Sequence, residues 1–147
     1  MNINTEGNFF QVKFMKRAEK LKKEAWQTME KIRGITRHIR NVEDNCIILG
    51  EKLIEQGEIE LGRKLIANGM VHDASKFHGI EFEYMAPGQP TEKDEAKLKL
   101  KMAVHNHNST NSHHPEFWGS IHNMPRVPVA EMVCDWKSRS EEFGTSL

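Results

Sequence analysis

Cysteine is nearly missing from this chain, net charge is missing, and no long apolar run occurs anywhere in it. The two cysteines, Cys46 and Cys134, lie far apart in a loop-poor sequence, so they read as reduced thiols of a cytoplasmic protein. Lysine plus arginine and aspartate plus glutamate both number 21, which argues against a dedicated nucleic-acid surface, since such a face is strongly basic. A balanced total still leaves room for a small anionic substrate, which needs only a few local cations. No run approaches the ~20 apolar residues that span a bilayer, so no membrane partner is expected. Met1 to Gly7 also lacks the charged-then-apolar pattern of a signal peptide. Convincing strands, internal repeats, low-complexity tracts and linkers are absent too. At 147 residues the expectation is a single all-α domain over 1–147, a compact bundle of about five or six helices.

The helices can be read from spacing. Residues 9–31 carry Phe10, Phe14, Leu21, Ala25, Trp26 and Met29 among lysines and glutamates, an amphipathic pattern. Gly34 is read as a break or a tight contact. A second helix over 35–55 places Ile39, Val42, Cys46, Leu49 and Leu53 on one stripe, with His38 one turn from Val42 and flanked by Arg37 and Arg40. Gln56-Gly57 is a stop, and a third helix is expected over 58–72. One or two turns follow at Glu81 to Met85, then a loop at Ala86 to Pro90. Thr91 is read as the N-cap of a helix running to about His107. A polar loop, 108–112, leads to His113-His114-Pro115, where the proline pushes His114 out of the α region. The last helix runs from about Val129 to Phe143, with Met132, Val133 and Trp136 inward.

Histidine is what the chain has in excess: eight residues, five of them between 105 and 122. The adjacent pair His72-Asp73 closes an apolar segment. Buried ligand-type side chains there are costly unless paired or bound to a metal. His38, the His72-Asp73 pair and Asp135 sit on separate helices and could converge. Two imidazoles and two carboxylates, with no thiolate, suit octahedral divalent ions: manganese, iron, cobalt, nickel or magnesium, with zinc less strictly. Lys76, three residues past Asp73, is a cation within reach of an anion held at such a site.

A histidine, a His-Asp pair 34 residues later and an aspartate on a late helix together resemble the HD-domain superfamily of metal-dependent phosphohydrolases. The tail His72-Asp73-Ala74-Ser75-Lys76 is similar to the superfamily's HD-x-G-K form, with Ser75 in place of glycine. The likeness covers roughly 35–140. Within it, His-His-Pro-Glu at 113–116 and Glu-Met-x-x-Asp-Trp at 131–136 resemble a small phage and bacterial branch. The resemblance implies that His38, His72, Asp73 and Asp135 bind metal and that Lys76 steadies a substrate phosphate. The nucleoside-monophosphate branch has a glutamate where this chain has Lys76; Glu81 or Glu83 could supply that acid. The Gly-Tyr-Pro segment of the cyclic-dinucleotide branch does not occur.

The expected function is therefore hydrolysis of a small phosphorylated molecule, most readily a nucleotide, by a metal-activated water. Asp73, Lys76 and Glu81 stand at the reacting centre, and Arg37 and Arg139 help hold phosphate. A di-iron oxygenase of the same fold is the alternative raised by the extra histidines. A non-catalytic metal-stabilised binding module is the third reading, and a homo-oligomer is compatible with all three. Glu131, one turn before Asp135, is either an orienter of a ligand histidine or a solvated residue. His105 is expected on the inner side of its helix, three and seven residues after Met102 and Leu98, with His107 turned to solvent. If His105 and His113 or His114 join the first four ligands, six side chains exceed what one open ion can use. Two metals bridged by Asp73 then follow.

Overall fold

The computed structural model describes residues 5–85 and 94–145, with side chains from Phe10 onward. The loop and cap expected at Ala86 to Thr91 lie outside the described residues. Five α-helices account for most of the described chain: α1 Thr5–Glu55, α2 Ile59–Gly69, α3 Gly79–Tyr84, α4 Asp94–Thr110 and α5 Arg126–Phe143. Three short 3-10 turns, Ala74–Phe77, Pro115–Trp118 and Ile121–Asn123, join them, and no strand occurs among the described residues. The all-α expectation is met. None of the described helices is long and apolar enough to cross a membrane.

The two helices expected before Gly57 are one, 51 residues long and about 77 Å from end to end at 1.5 Å per residue. A lone glycine costs a helix only about 1 kcal/mol relative to alanine, and the strong helix formers on both sides of Gly34 outweigh it. The helix stops at Gly57, whose φ of +88° suits a residue without Cβ. There Gly57 N–H donates to Ile54 O at 2.9 Å and Glu58 N–H to Leu53 O at 2.8 Å, which satisfies the last carbonyls.

The chain then reverses, and α2 lies against α1 at very short range. A Cβ placed on Gly62 would stand 2.4 Å from the carbonyl oxygen of Gly50, and one on Gly69 would stand 2.6 Å from Cys46 Cβ. Only glycine permits backbones this close. α5 closes the third side. Val42, Cys46, Leu65 and Cys134 form the fully buried apolar core, with Leu49, Leu53 and Ala130 packed on it. Both cysteines are free and buried, and contact with Cys134 together with burial pushes the Cys46 thiol pKa up.

Several inward assignments change. α2 ends at Gly69, and Met70 and Val71 lie exposed on the turn that delivers His72. Met132 is buried as expected, but Val133 and Trp136 face outward. Phe10, Phe14, Leu21 and Trp26 are exposed along the first half of α1, which extends away from the core. Among the described residues, eleven polar or charged side chains are buried against nine apolar ones, Pro128 included. The interior is therefore organised around a polar centre as much as around an oily one.

Candidate metal centre

Asp73 sits in the middle of this centre. Its φ of 55° and ψ of 20° are left-handed, and no other described non-glycine residue has positive φ. Asp tolerates that region better than most residues, and such strain persists where the surroundings over-determine it. The turn aims the carboxylate inward, 2% exposed. Its two oxygens face different ways. Oδ2 lies 3.4 Å from His38 Nε2 and 3.4 Å from His72 Nε2. Oδ1 lies 3.3 Å from His107 Nε2 and 3.4 Å from His113 Nε2. Asp135 Oδ1 joins the first pair, 3.1 Å from His38 Nε2 and 3.9 Å from His72 Nε2. His114 joins the second, its ring centroid 4.2 Å from that of His113 and 4.8 Å from that of His107.

Two half-sites result. Ligand atoms of His38, His72 and Asp135 lie within 4.8 Å of one another, as do those of His107, His113 and His114, and those of His72, Asp73 and His113 across the middle. These groups approach closely but mostly without hydrogen-bond geometry. His38 Nε2, His72 Nε2, His113 Nε2, His114 Nε2, Asp73 Oδ1 and Asp135 Oδ1 are buried and have no hydrogen-bond partner among the described residues. Buried polar atoms are almost always satisfied, so six orphans aimed into one space call for something that binds lone pairs. Nitrogen and oxygen donors without thiolate are what a divalent cation takes. The residues fit a metal centre.

A glutamate stands behind four of the five imidazoles, those of His38, His72, His107 and His113. Glu142 Oε1 lies 3.0 Å from His38 Nδ1, Glu131 Oε1 3.0 Å from His72 Nδ1, and Glu81 Oε2 2.8 Å from His107 Nδ1. Glu131 Oε1 is also 3.5 Å from His113 Nδ1, so one carboxylate backs a histidine of each half-site. A carboxylate only accepts, so Nδ1 donates and Nε2 is turned inward, the arrangement by which metal-binding histidines are fixed. The glutamates are held in turn: Asn41 donates to Glu142 at 2.9 Å, Asn68 to Glu131 at 2.9 Å, and Ser75 and Asn106 to Glu81 at 2.7 and 2.8 Å.

The charges suit a cation as well. Burial lowers the pKa of His38, but Asp135 and then Asp73 outweigh it and raise it to about 9. The carboxylates around His38 thus favour positive charge at this point, which a bound ion would also bring. Burial would raise Asp135, yet His38 and His72 hold it at about 2. Burial acts on Asp73 in the same sense, and His113, His38, His72 and Lys76 hold it well below the carboxylate range. Burial lowers His107, and burial with the imidazoles of His113 and His107 pushes His114 down to about 4, so both offer free lone pairs near neutral pH.

Of the residues expected at the site, His38, His72, Asp73, His113, His114 and Asp135 are brought together. Lys76 is buried and its ammonium pairs with Asp73 Oδ2. His105 is not there. It faces outward, beside Leu100, Val104 and Glu116, while His107 takes the inner position. The inward face of α4 is Ala103 and His107, because what it packs on is polar; Leu98 and Met102 are exposed and misdirect the reading. Glu81 has both oxygens engaged with Ser75, Asn106 and His107, so it supports a ligand rather than standing at the reacting centre. Arg37 is exposed beside Arg33 and Arg40 on the outer side of α1. Arg139 reaches Glu142 at 3.3 Å, at the rim. Sequence reading missed His107 and Glu142. A signal for Glu142 existed: Glu131, Asp135, Ser138 and Glu142 recur at four, three and four residues, a single helical stripe.

Among known proteins, no curated protein and no solved structure matches this chain. A family model does, over residues 13–147, and by that match the chain belongs to DUF5662, a family of unknown function.

Proposed function

We propose that the protein is a metal-dependent phosphohydrolase with two divalent ions per chain, acting on a small phosphorylated molecule, a nucleotide being the substrate to try first. The observation that carries this reading is the carboxylate of Asp73, each of whose oxygens faces two imidazoles. His38, His72, Asp135 and Asp73 would hold one ion, and His107, His113, His114 and Asp73 the other. Bound ions of this kind activate water near neutral pH and offset charge on a phosphoryl group.

The chain's own residues supply the rest. Asp73 ties the half-sites together, so neither can shift without the other. Glu81, Glu131 and Glu142 fix the ring orientations. Lys76, whose ammonium pairs with Asp73, would be the nearest cation to a phosphate oxygen once that carboxylate were neutralised by bound ions. Arg139, held by Glu142 beside His38, supplies a second cation at the rim. The HD-domain resemblance supports the same chemistry. The test is metal analysis of protein purified without chelator, followed by a screen of nucleotides and other phosphate esters. Turnover that disappears with chelator and returns with one divalent metal is expected; no turnover of any ester by the metal-loaded protein would leave a binding module.

One observation favours a second reading. The half-site of His107, His113 and His114 is rich in nitrogen, a donor set that iron accepts. A di-iron oxygenase would retain iron on purification and consume dioxygen, which a phosphohydrolase would not.

A further inference from the structure

The first half of α1 carries a stripe with a spacing of its own. Phe14, Ala18, Leu21, Ala25, Thr28, Ile32 and Ile35 follow one another at alternating steps of four and three. That heptad keeps one face turned to a neighbouring helix. The stripe continues the face that packs in the body: Ile35 is 5% exposed, and Val42 and Cys46 lie further along it. Beyond the body it is uncovered, with Phe14 73% and Leu21 55% exposed. Trp26 is not on it; that ring lies on the opposite side, 5.8 Å from the Arg33 guanidinium.

We propose that this face binds the same face of a second copy of the chain, antiparallel, with Phe14 set on Ala25 and Leu21 on Ala18 of the other copy. Size complementarity points to this arrangement. In a parallel pair the large side chains meet each other and the alanines meet each other, leaving alternating crowding and gaps. Antiparallel pairing sets each large residue over a small one. Charge points the same way. Arg17 and Glu24 flank the stripe on one side and Lys22 on the other. Antiparallel pairing in this register brings Arg17 beside Glu24 of the second copy, twice by symmetry, whereas parallel pairing brings Arg17 beside Lys22. Glu24 is free to take that role, since its contact with Lys20, 3.7 Å, is solvent-exposed. The seam is made by α1 alone and leaves the polar centre untouched.

Sedimentation equilibrium of the whole chain tests this. The expected result is a dimer that Leu21→Asp converts to a monomer with unchanged helicity and metal content. Arg17→Glu should weaken the dimer, and adding Glu24→Arg should restore it. A wild-type monomer would overturn the proposal, whether it stays in solution or binds vesicles of anionic phosphatidylglycerol through its lysines. A dimer that survives Leu21→Asp would overturn it too, and one that Arg17→Glu strengthens would overturn the antiparallel arrangement.

Discussion

An aspartate held left-handed among four imidazoles costs the backbone strain, and removing its side chain should dissolve the arrangement that imposes it. Asp73→Ala is expected to lose metal at both half-sites and with it the thermal stabilisation that bound metal gives the folded state. Metal analysis and a melting curve, with and without added metal, check this; a variant with full occupancy would place the ions elsewhere. Lys76→Ala should keep its metal and lose a charge-assisted contact worth about 1.5–3 kcal/mol, about ten- to a hundredfold in turnover of a phosphate ester. Unchanged kinetics would make Lys76 a counter-charge to Asp73 only. Glu131 backs His72 and His113 at once. Glu131→Gln should therefore weaken metal binding at both half-sites, by about ten- to a hundredfold, seen as two shifted transitions in a metal titration. A single shifted transition would confine its role to one histidine.

Helix faces explain what the sequence did and did not disclose. The stripe of α1 from Ile39 to Leu53 was legible because it packs on apolar neighbours, and the adjacency of His72 and Asp73 was legible as chemistry out of place. The face of α4 was not, because apolar residues on that helix point to solvent and its inner face carries Ala103 and His107. Periodicity finds oily interiors, and this interior is polar. The turn at Gly69, which replaces the last expected turn of α2, leaves little local trace either, since Met70 and Val71 are apolar yet exposed. The glycines between α1 and α2 carry their information only in three dimensions. Gly62→Ala would drive a methyl group into the Gly50 carbonyl at 2.4 Å. Backbone atoms cannot step aside as a side chain can, so the variant is expected to lose about 1–3 kcal/mol in chemical denaturation. A loss no larger than that of Gly57→Ala, where φ rather than space is the constraint, would show that the helices can separate freely.

Across the whole molecule, the buried carboxylates Asp73, Asp135, Glu81 and Glu131 have Lys76 as the one buried lysine or arginine among the described residues. A fold with that interior depends on what neutralises it. Stripping the metal is expected to lower the melting temperature by roughly 5–15 °C, given about 3–4 kcal/mol from ligand well above its Kd and about 2–4 °C per kcal/mol at this size. The convergence of His38, His72, Asp73 and Asp135 was legible from their order and spacing; the second half-site was legible only as a cluster of histidines, with His105 expected in the position that His107 takes. Metal content per chain therefore tests the whole arrangement most directly, measured in the wild type, in His107→Ala and in His105→Ala. Two ions in the wild type, about one in His107→Ala and two in His105→Ala are predicted. One ion in all three, or a loss caused by His105→Ala instead, would contradict a two-ion centre built around Asp73.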